Sequence, residues 1–280
     1  MTTVFACRRE AQSALECSDS ETAELDAQTL LAQALGVDRA FLFAHADERL
    51  TEAQLAAFRS ALERRASGEP IAYITGSKGF YDLDLLVSPA ALIPRPETEL
   101  LLEEALRLTE ERPAITAADI GTGSGALAVT FARQRPAASV YATEICPAAL
   151  AIARENAQRS GVTVAAFRGD LAAPLIARGI RVNLLMANLP YIATGELDAL
   201  TVSRFEPRLA LDGGPDGLCL IRRLLAQAPA VCRAGAWVLL EIGADQGEAV
   251  TQLVKRGPDL DCEILKDYAG LDRIARIRLP

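Results

Sequence analysis

Hydrophobic residues recur at a helical period through residues 1–70, so this part of the chain is predicted to contain helices only. Ser18–Glu21 has the spacing of a capping box ahead of the apolar stripe in residues 23–36. Thr51 and Gln54 have the same spacing before a second helical pattern. We therefore predict a small all-helical domain over residues 1–70.

The pattern changes over residues 71–96, where glycines and prolines interrupt a short alternation of apolar and polar positions. Phe80, Leu83, Leu85 and Val87 are spaced as in a pair of short strands. We interpret this segment as a hairpin linker between two domains.

From residue 97 to residue 280 the chain alternates between helical patterns and short apolar runs. Helical stretches of this length between strands indicate βαβ units and a mostly parallel sheet, so the fold class is α/β. Two consecutive strands at the end predict an antiparallel hairpin. The predicted strands are residues 115–120, 139–143, 162–167, 182–187, 236–243, 261–265 and 273–279.

Charge and composition narrow the possible functions. Lys and Arg number 29 against 37 Asp and Glu, a net charge of -8 that disfavours a broad nucleic-acid-binding surface. No apolar run approaches the roughly 18 residues of a membrane span, and no secretory signal is visible. The six cysteines form no CxxC pair, so we expect reduced thiols in a cytoplasmic protein and no metal site. The only histidine, His45, is expected at a helix end rather than in catalysis.

A glycine-rich loop follows the first strand of the α/β region and precedes a helix. Such a loop lets a ligand approach the backbone and the amides at the helix N-terminus. Glu144 ends the next strand, where a carboxylate can accept hydrogen bonds from both ribose hydroxyls, although an acid at a helix start has the same placement. The loop residues are Gly121, Thr122, Gly123, Ser124 and Gly125.

These features fit either a nicotinamide dinucleotide or S-adenosylmethionine. A dinucleotide site requires GxGxxG, and Ala126 allows only the tolerated variant of that motif. Asp170 follows the third strand, where it can accept from an adenine amino group with Leu171 against the ring; the alternative is an ordinary turn aspartate.

The sequence Asn188-Leu189-Pro190-Tyr191 follows the fourth strand, where a ligand and a substrate would meet. An amide or aromatic amine nitrogen is a poor nucleophile, because its lone pair is delocalised. The Asn188 side-chain oxygen and the Leu189 carbonyl can hold both of its N–H groups. Pro190 would stiffen the loop, and Tyr191 can stack on a planar substrate group. This arrangement predicts methyl transfer that depends mainly on orientation.

Six blocks in this order carry a family resemblance: LIPRPETE, DIGTGSGALA, ATEICPAAL, ANLPYI, EPRLALDGGPDGL and LLEIGADQG. Together with the helical N-terminal domain they resemble the release-factor glutamine methyltransferase family, known as PrmC or HemK. The resemblance spans essentially the whole chain and is strongest after Tyr73. Two departures are Leu189, where the family usually has proline, and Glu144, where aspartate is commoner.

The resemblance implies a Rossmann-like class I methyltransferase domain and S-adenosyl-L-methionine as cofactor. The implied substrate is the glutamine amide in the Gly-Gly-Gln motif of peptide chain release factors. The 121–125 loop, Glu144, Asp170, Leu171 and Asn188 are then expected to contact the cofactor. Asn188 to Tyr191 are expected to hold the glutamine, with the N-terminal helices docking the release factor. We expect a monomer that contacts neither nucleic acid nor membrane.

Three other functions compete with this interpretation. Asn-Leu-Pro-Tyr also occurs in ribosomal-RNA adenine dimethyltransferases, but the net charge and the preceding domain disfavour that family. An NAD-dependent oxidoreductase leaves Asn188, Pro190 and Tyr191 without a role. A non-catalytic binding module would keep the glycine loop and lose the chemistry.

Overall fold

The chain divides into two units, Met1–Ser77 and Lys78–Pro280. A computed structural model describes residues 2–18, 22–255 and 261–280. The first unit contains five helices, α1 to α5: Val4–Glu16, Ala23–Leu35, Arg39–Ala44, Glu52–Ala66 and Ile71–Thr75.

Local capping explains where the helices of the first unit begin. The Thr51 hydroxyl accepts from the Gln54 backbone amide, and the Gln54 side-chain oxygen accepts from the Thr51 backbone amide. The predicted capping box therefore starts α4. The other predicted capping box, Ser18–Glu21, lies largely outside the described residues. His45 is exposed at the C-terminal cap of α3 and stacks on Phe41, which agrees with its predicted place.

The segment 71–96 contains a helix as well as the predicted strand pair. Residues 71–75 form α5 because Pro70 starts a turn that Gly76 ends at φ 75°. The strands β1, Ser77–Phe80, and β2, Leu83–Leu86, then form a two-stranded sheet. The Asn156 side chain bonds both the amide and the carbonyl of Leu86, which ties β2 to the α/β core.

The second unit contains seven strands in one sheet, with helices on both faces. The strands, β3 to β9, are Thr116–Ile120, Ser139–Glu144, Val164–Arg168, Val182–Ala187, Cys232–Glu241, Asp261–Lys266 and Asp272–Arg278. The helices, α6 to α11, are Pro96–Leu108, Ala126–Gln134, Pro147–Arg159, Ala173–Ile176, Cys219–Val231 and Gly247–Lys255.

The sheet has the strand order β5-β4-β3-β6-β7-β9-β8, and its first five strands are parallel. Strands β8 and β9 form the predicted antiparallel hairpin. The sequence pattern did not indicate that β9 would also pair with β7 and so lie between β7 and β8. The carboxyl ends of β3, β4, β5 and β6 lie at one edge of the sheet, and the predicted site residues lie at or just after these ends.

Alternation along β6 shows how the sheet carries a core on each face. Leu184 and Met186 belong to the cluster on one face, whereas Leu185 and Ala187 belong to the cluster on the other. All four are fully buried, and each large side chain so buried stabilises the fold by roughly 1.5–3 kcal/mol. Within the described residues, no helix is long and apolar enough to cross a lipid bilayer.

Three short 3₁₀ turns and helix α9 had no counterpart in the sequence pattern. The turns are Leu197–Ala199, Thr201–Arg204 and Arg208–Ala210. Each is only three or four residues long, too short to show a hydrophobic period.

Candidate active site

The glycine loop after β3 adopts backbone angles that only glycine takes up readily. Gly121, Gly123 and Gly125 have φ of 73°, 56° and 87°. A Cβ at Gly125 would lie 3.1 Å from Ala153, so this glycine lets α7 approach α8. A Cβ at Gly123 would meet no protein atom within 4 Å. The backbone at Gly123 is therefore open to a ligand.

A buried carboxyl holds the loop against the end of β3. The Asp119 Oδ2 atom accepts from the Thr122 hydroxyl at 2.5 Å and from the Ala128 amide at 3.1 Å. Burial raises the pKa of Asp119 to about 7, and the hydrogen bonds from Thr122 and Ala128 only partly oppose this. The Thr122 hydroxyl is thus used inside the loop rather than presented to a ligand.

Glu144, at the end of β4, connects the glycine loop to the start of α8. Its Oε2 atom accepts from the Gly123 amide at 2.9 Å and its Oε1 atom accepts from the Cys146 amide at 2.8 Å. Each carboxylate oxygen retains a further lone pair. Glu144 thus supports the start of α8 and also lines the cavity beside it, and its contact with ribose stays a prediction.

A cavity of about 330 Å³ lies at the carboxyl edge of the sheet, within the size range of small-molecule sites. Most of its lining is apolar, and Ile145 and Leu92 were not singled out from the sequence. The predicted site residues that line this cavity, the larger of two that adjoin each other here, are Gly121, Gly123, Glu144, Asp170, Leu171, Asn188, Leu189 and Pro190.

Asp170 and Leu171 lie together on one wall of the larger cavity. Asp170 forms an ion pair through Oδ2 with Arg223 of α10. Leu171 is 7% exposed and has a φ of 47°, a left-handed conformation that is strained for a leucine. The Ala172 amide donates to Gln227 at 2.8 Å, which helps to hold this turn.

A smaller cavity of about 50 Å³ adjoins the larger one beneath the glycine loop. Gly121, Gly123, Leu92 and Asn188 line both. The predicted residues Thr122 and Ser124 line only the smaller cavity. Two predicted residues, Gly125 and Tyr191, line neither of these cavities among the residues that the structure describes.

The side chain of Asn188 is held by a partner that the sequence did not indicate. Its Nδ2 atom donates to the Thr98 hydroxyl at 3.0 Å, and that hydroxyl donates to Glu241 Oε2 at 2.7 Å. In the described residues neither Asn188 Oδ1 nor the Leu189 carbonyl accepts a hydrogen bond. Two acceptors therefore remain available beside the junction of the two cavities.

Tyr191 is held by hydrogen bonds through both its side chain and its backbone. Its hydroxyl is hydrogen-bonded to Glu241, and its carbonyl accepts from the Gln246 side chain at 2.8 Å. Burial, with the Glu241 charge second, raises the pKa of Tyr191 to about 12, so the phenol stays protonated. Burial likewise raises the pKa of Glu241 to about 7.

A buried ion pair joins two loops at the cavity. Glu206 accepts from the Ile93 amide at 3.0 Å and from the Arg95 guanidinium. These contacts connect residues 90–92, on one wall, to residues 207–210, on another. Only 4% of Glu206 is exposed, and pairing satisfies a charge that would otherwise be costly to bury.

Family models match both parts of the chain. The PrmC N-terminal domain matches residues 6–76, and the methyltransferase small domain matches residues 96–206. The second range contains the glycine loop, Glu144, Asp170 and Asn188.

Named relatives match almost the full length of the chain. A release factor glutamine methyltransferase of Moorella thermoacetica is 45% identical over 94% of this chain and 94% of its own. One of Geobacter sulfurreducens is 42% identical over 92% of this chain and 90% of its own.

Among solved structures, a ribosomal protein L11 methylase from Lactobacillus delbrueckii subsp. bulgaricus has a TM-score of 0.50 at 22% identity. It covers 66% of this chain and 81% of its own. This likeness supports a Rossmann-like methyltransferase fold, and the full-length relatives add the family: the chain belongs to the release factor glutamine methyltransferases.

Proposed function

We propose that this protein transfers a methyl group from S-adenosyl-L-methionine to the side-chain amide nitrogen of the glutamine in the Gly-Gly-Gln motif of peptide chain release factors. The observation that carries the proposal is the pair of open acceptors, Asn188 Oδ1 and the Leu189 carbonyl, where the two cavities meet. A primary amide has two N–H donors, and this pair matches them.

The cavities fit the cofactor in size and in chemistry. The larger one has room for a nucleoside, and its carboxylate, Glu144, has lone pairs directed at neither Gly123 nor Cys146 that can accept from ribose hydroxyls. Asp170 and Leu171 would hold the adenine, and the open backbone at Gly123 would lie against the chain that joins ribose to amino acid. Thr122, Ser124 and Gly125 are proposed to contact the cofactor as part of the same loop, and Thr122 and Ser124 line the smaller cavity.

Bound S-adenosylmethionine supplies a methyl group on a positively charged sulfur. The chain's own task is to orient the nucleophile. Asn188 Oδ1 and the Leu189 carbonyl each accept one amide N–H, which turns the face of the glutamine nitrogen toward the cavity. Pro190 restricts the loop that carries both acceptors. Tyr191 is held by its hydrogen bond to Glu241, and its ring is proposed to stack on the planar amide of the glutamine. Holding reactants in line contributes up to about 7–11 kcal/mol in favourable cases.

The first unit is proposed to dock the release factor. Phe5 and Phe43 are 49% and 56% exposed, and the Arg8 guanidinium lies 4.6 Å from the Phe43 ring centre. Aromatic side chains and arginine are enriched where proteins bind each other. Because release factors act in the cytoplasm, we propose that the reaction takes place there. We propose a monomer, because one chain contains the whole proposed site. We further propose that the protein binds neither nucleic acid nor membrane.

The test is incubation of the purified protein with isotopically labelled S-adenosylmethionine and purified release factor, followed by mass mapping. We expect one label, on the glutamine of the Gly-Gly-Gln motif. In a parallel incubation with ribosomal RNA, label on the RNA would favour the adenine methyltransferase alternative, which shares the Asn-Leu-Pro-Tyr sequence. A release factor without label at this glutamine would overturn the proposal.

A further inference from the structure

A buried chain of hydrogen bonds connects Asn188 to a carboxylate that contacts neither cavity. Thr98 lies in the first turn of α6 and is 4% exposed, and Glu241 is the last residue of β7 and is 1% exposed. The Asn188 Nδ2 to Thr98 Oγ1 distance is 3.0 Å, and the Thr98 Oγ1 to Glu241 Oε2 distance is 2.7 Å. Three separate elements thus meet at a single hydroxyl group.

The hydroxyl proton gives the chain a direction. A hydroxyl has one proton, and an ionised carboxylate only accepts, so the Thr98 proton points to Glu241. Thr98 Oγ1 is then left as an acceptor and requires an N–H from Asn188. The opposite orientation of the amide would place Asn188 Oδ1 against Thr98 Oγ1, whose proton is already donated to Glu241.

This direction determines which atom of Asn188 meets the substrate. With its nitrogen on Thr98, the amide presents Oδ1 to the cavities. An acceptor is what a glutamine N–H requires, whereas an NH₂ group in that place would meet another donor. An unpaired donor in such a site is destabilising, because it has lost its hydrogen bonds to water.

We propose that Thr98 and Glu241 are positioning residues that hold the Asn188 amide with its oxygen toward the substrate. The inference rests on the proposed function for its kinetic consequence only, because the orientation itself follows from the hydrogen bonds. Thr98 lines the smaller cavity and Glu241 lines neither cavity, and both are proposed to act through Asn188.

The charge on Glu241 is sensitive to its surroundings. Burial is the main cause that raises its pKa to about 7; Thr98, Arg273 and Tyr191 lower it, and Glu97 raises it. When Glu241 is protonated, its carboxyl group can donate to the Thr98 hydroxyl. The Thr98 hydroxyl can then donate to Asn188 instead of to Glu241. The preference for Oδ1 in the cavity is then lost, so turnover falls as pH decreases through this range.

The kinetic test compares Thr98→Val, which is nearly isosteric and lacks the hydroxyl, with Thr98→Ser, which keeps it. We expect kcat to fall about tenfold or more in Thr98→Val, with cofactor Kd within about twofold, and Thr98→Ser to stay within about threefold of the parent. Thr130→Val is the matched control, since that hydroxyl is buried and has no partner among the described residues. Equal impairment of the serine and valine variants, or a Thr98→Val enzyme with full kcat, would overturn the inference.

A second measurement does not require methyl transfer. The Asn188 side-chain NH₂ resonances, assigned by their loss in Asn188→Asp, should shift in Thr98→Val and remain in Thr98→Ser. An unchanged spectrum in Thr98→Val contradicts the relay even if the substrate is not a release factor. If Thr98→Val does not fold, Glu241→Gln serves instead: its kcat should lose the decline toward acid pH, and a retained decline would contradict the role of Glu241.

Discussion

The side chain of Leu189 packs directly on Gly121: a Cβ built on this glycine would lie 3.0 Å from Leu189 Cδ2. Leu189 is 3% exposed and belongs to the cluster on one face of the sheet. The residue that departs from the usual family pattern therefore supports the glycine loop with its side chain, and in the proposed function only its backbone carbonyl would meet the substrate.

Leu189→Ala should separate these two contributions. Loss of a buried leucine leaves a cavity beside Gly121, and we expect unfolding to become easier by about 2–5 kcal/mol and cofactor affinity to fall. At saturating cofactor, kcat should change much less, because the carbonyl remains. Urea unfolding and cofactor titration measure the effects. Leu184→Ala, a buried change in β6 away from the cavities, should lower stability alone; an equal loss of cofactor affinity there would refute the packing argument.

Asn188→Ala should abolish turnover and leave cofactor binding nearly unchanged, since it removes an acceptor for the glutamine N–H. Asn183→Ala, in the preceding strand, is the control that should retain turnover. Single-turnover methylation and calorimetric titration are suitable assays. Joint loss of turnover and cofactor binding in Asn188→Ala would indicate that the residue serves mainly the cofactor or the fold.

Two glycine variants should fail for different reasons. Gly123→Ala has space for its Cβ within the protein, so it should fold with a strain penalty of about 1–3 kcal/mol and bind cofactor poorly. Gly125→Ala also has a positive φ, 87° at this glycine, and its Cβ would lie 3.1 Å from Ala153 and Val129, so it should be the less stable protein. Thermal unfolding with and without cofactor distinguishes them, and normal cofactor affinity in Gly123→Ala would place the ligand elsewhere.

Glu144→Asp should weaken cofactor binding even though aspartate is the commoner residue in the family. The longer side chain reaches the Gly123 and Cys146 amides together, and a shorter one cannot keep both distances without moving the loop. We expect about a tenfold or larger loss of affinity, in line with the roughly 1.5–3 kcal/mol of a charged hydrogen bond. Glu144→Gln should also bind weakly, because its NH₂ group faces an amide donor. Unchanged cofactor affinity in both variants would show that Glu144 does not bind the cofactor.

Asp119 should make the fold less stable as pH rises. Its pKa is about 7 in the folded protein against an ordinary value of 3.8, so the unfolded chain releases this proton first. The stabilising contribution is complete below about pH 4 and declines until about pH 7, by up to about 4 kcal/mol. Urea unfolding between pH 4 and pH 8 should show a shallower decline for Asp119→Asn than for the parent or for Asp84→Asn, an exposed control. Parallel curves of unfolding free energy against pH for the parent and both variants would refute this role of Asp119.

Elements with a strong local signal were predictable from the sequence. The helix predicted after the glycine-rich loop is α7, Ala126–Gln134, which begins directly after Gly125. Strand β6 was predicted over residues 182–187 and has those bounds, since an apolar run ends at Asn188. The glycine loop and Glu144 were recognisable because they occur at strand ends.

Contacts between distant parts of the chain were not predictable in this way. Thr98, Asn188 and Glu241 are 90 and 53 positions apart, and none of their local patterns indicates that they share hydrogen bonds. The salt link from Arg95 to Glu206 is similar. Such pairings depend on the order of strands and on side-chain direction, neither of which a one-dimensional pattern contains.

The place of β9 in the sheet has a consequence for synthesis on the ribosome. Strand β8 leaves the ribosome before β9, yet in the finished sheet it pairs with β9 alone. Arg273, on the same late strand, is a cation close to Glu241 and Tyr191. A nascent chain that has exposed its glycine loop and Asn188 therefore still lacks one sheet edge and the Arg273 charge until β9 has also been synthesised and has paired with β7 and β8.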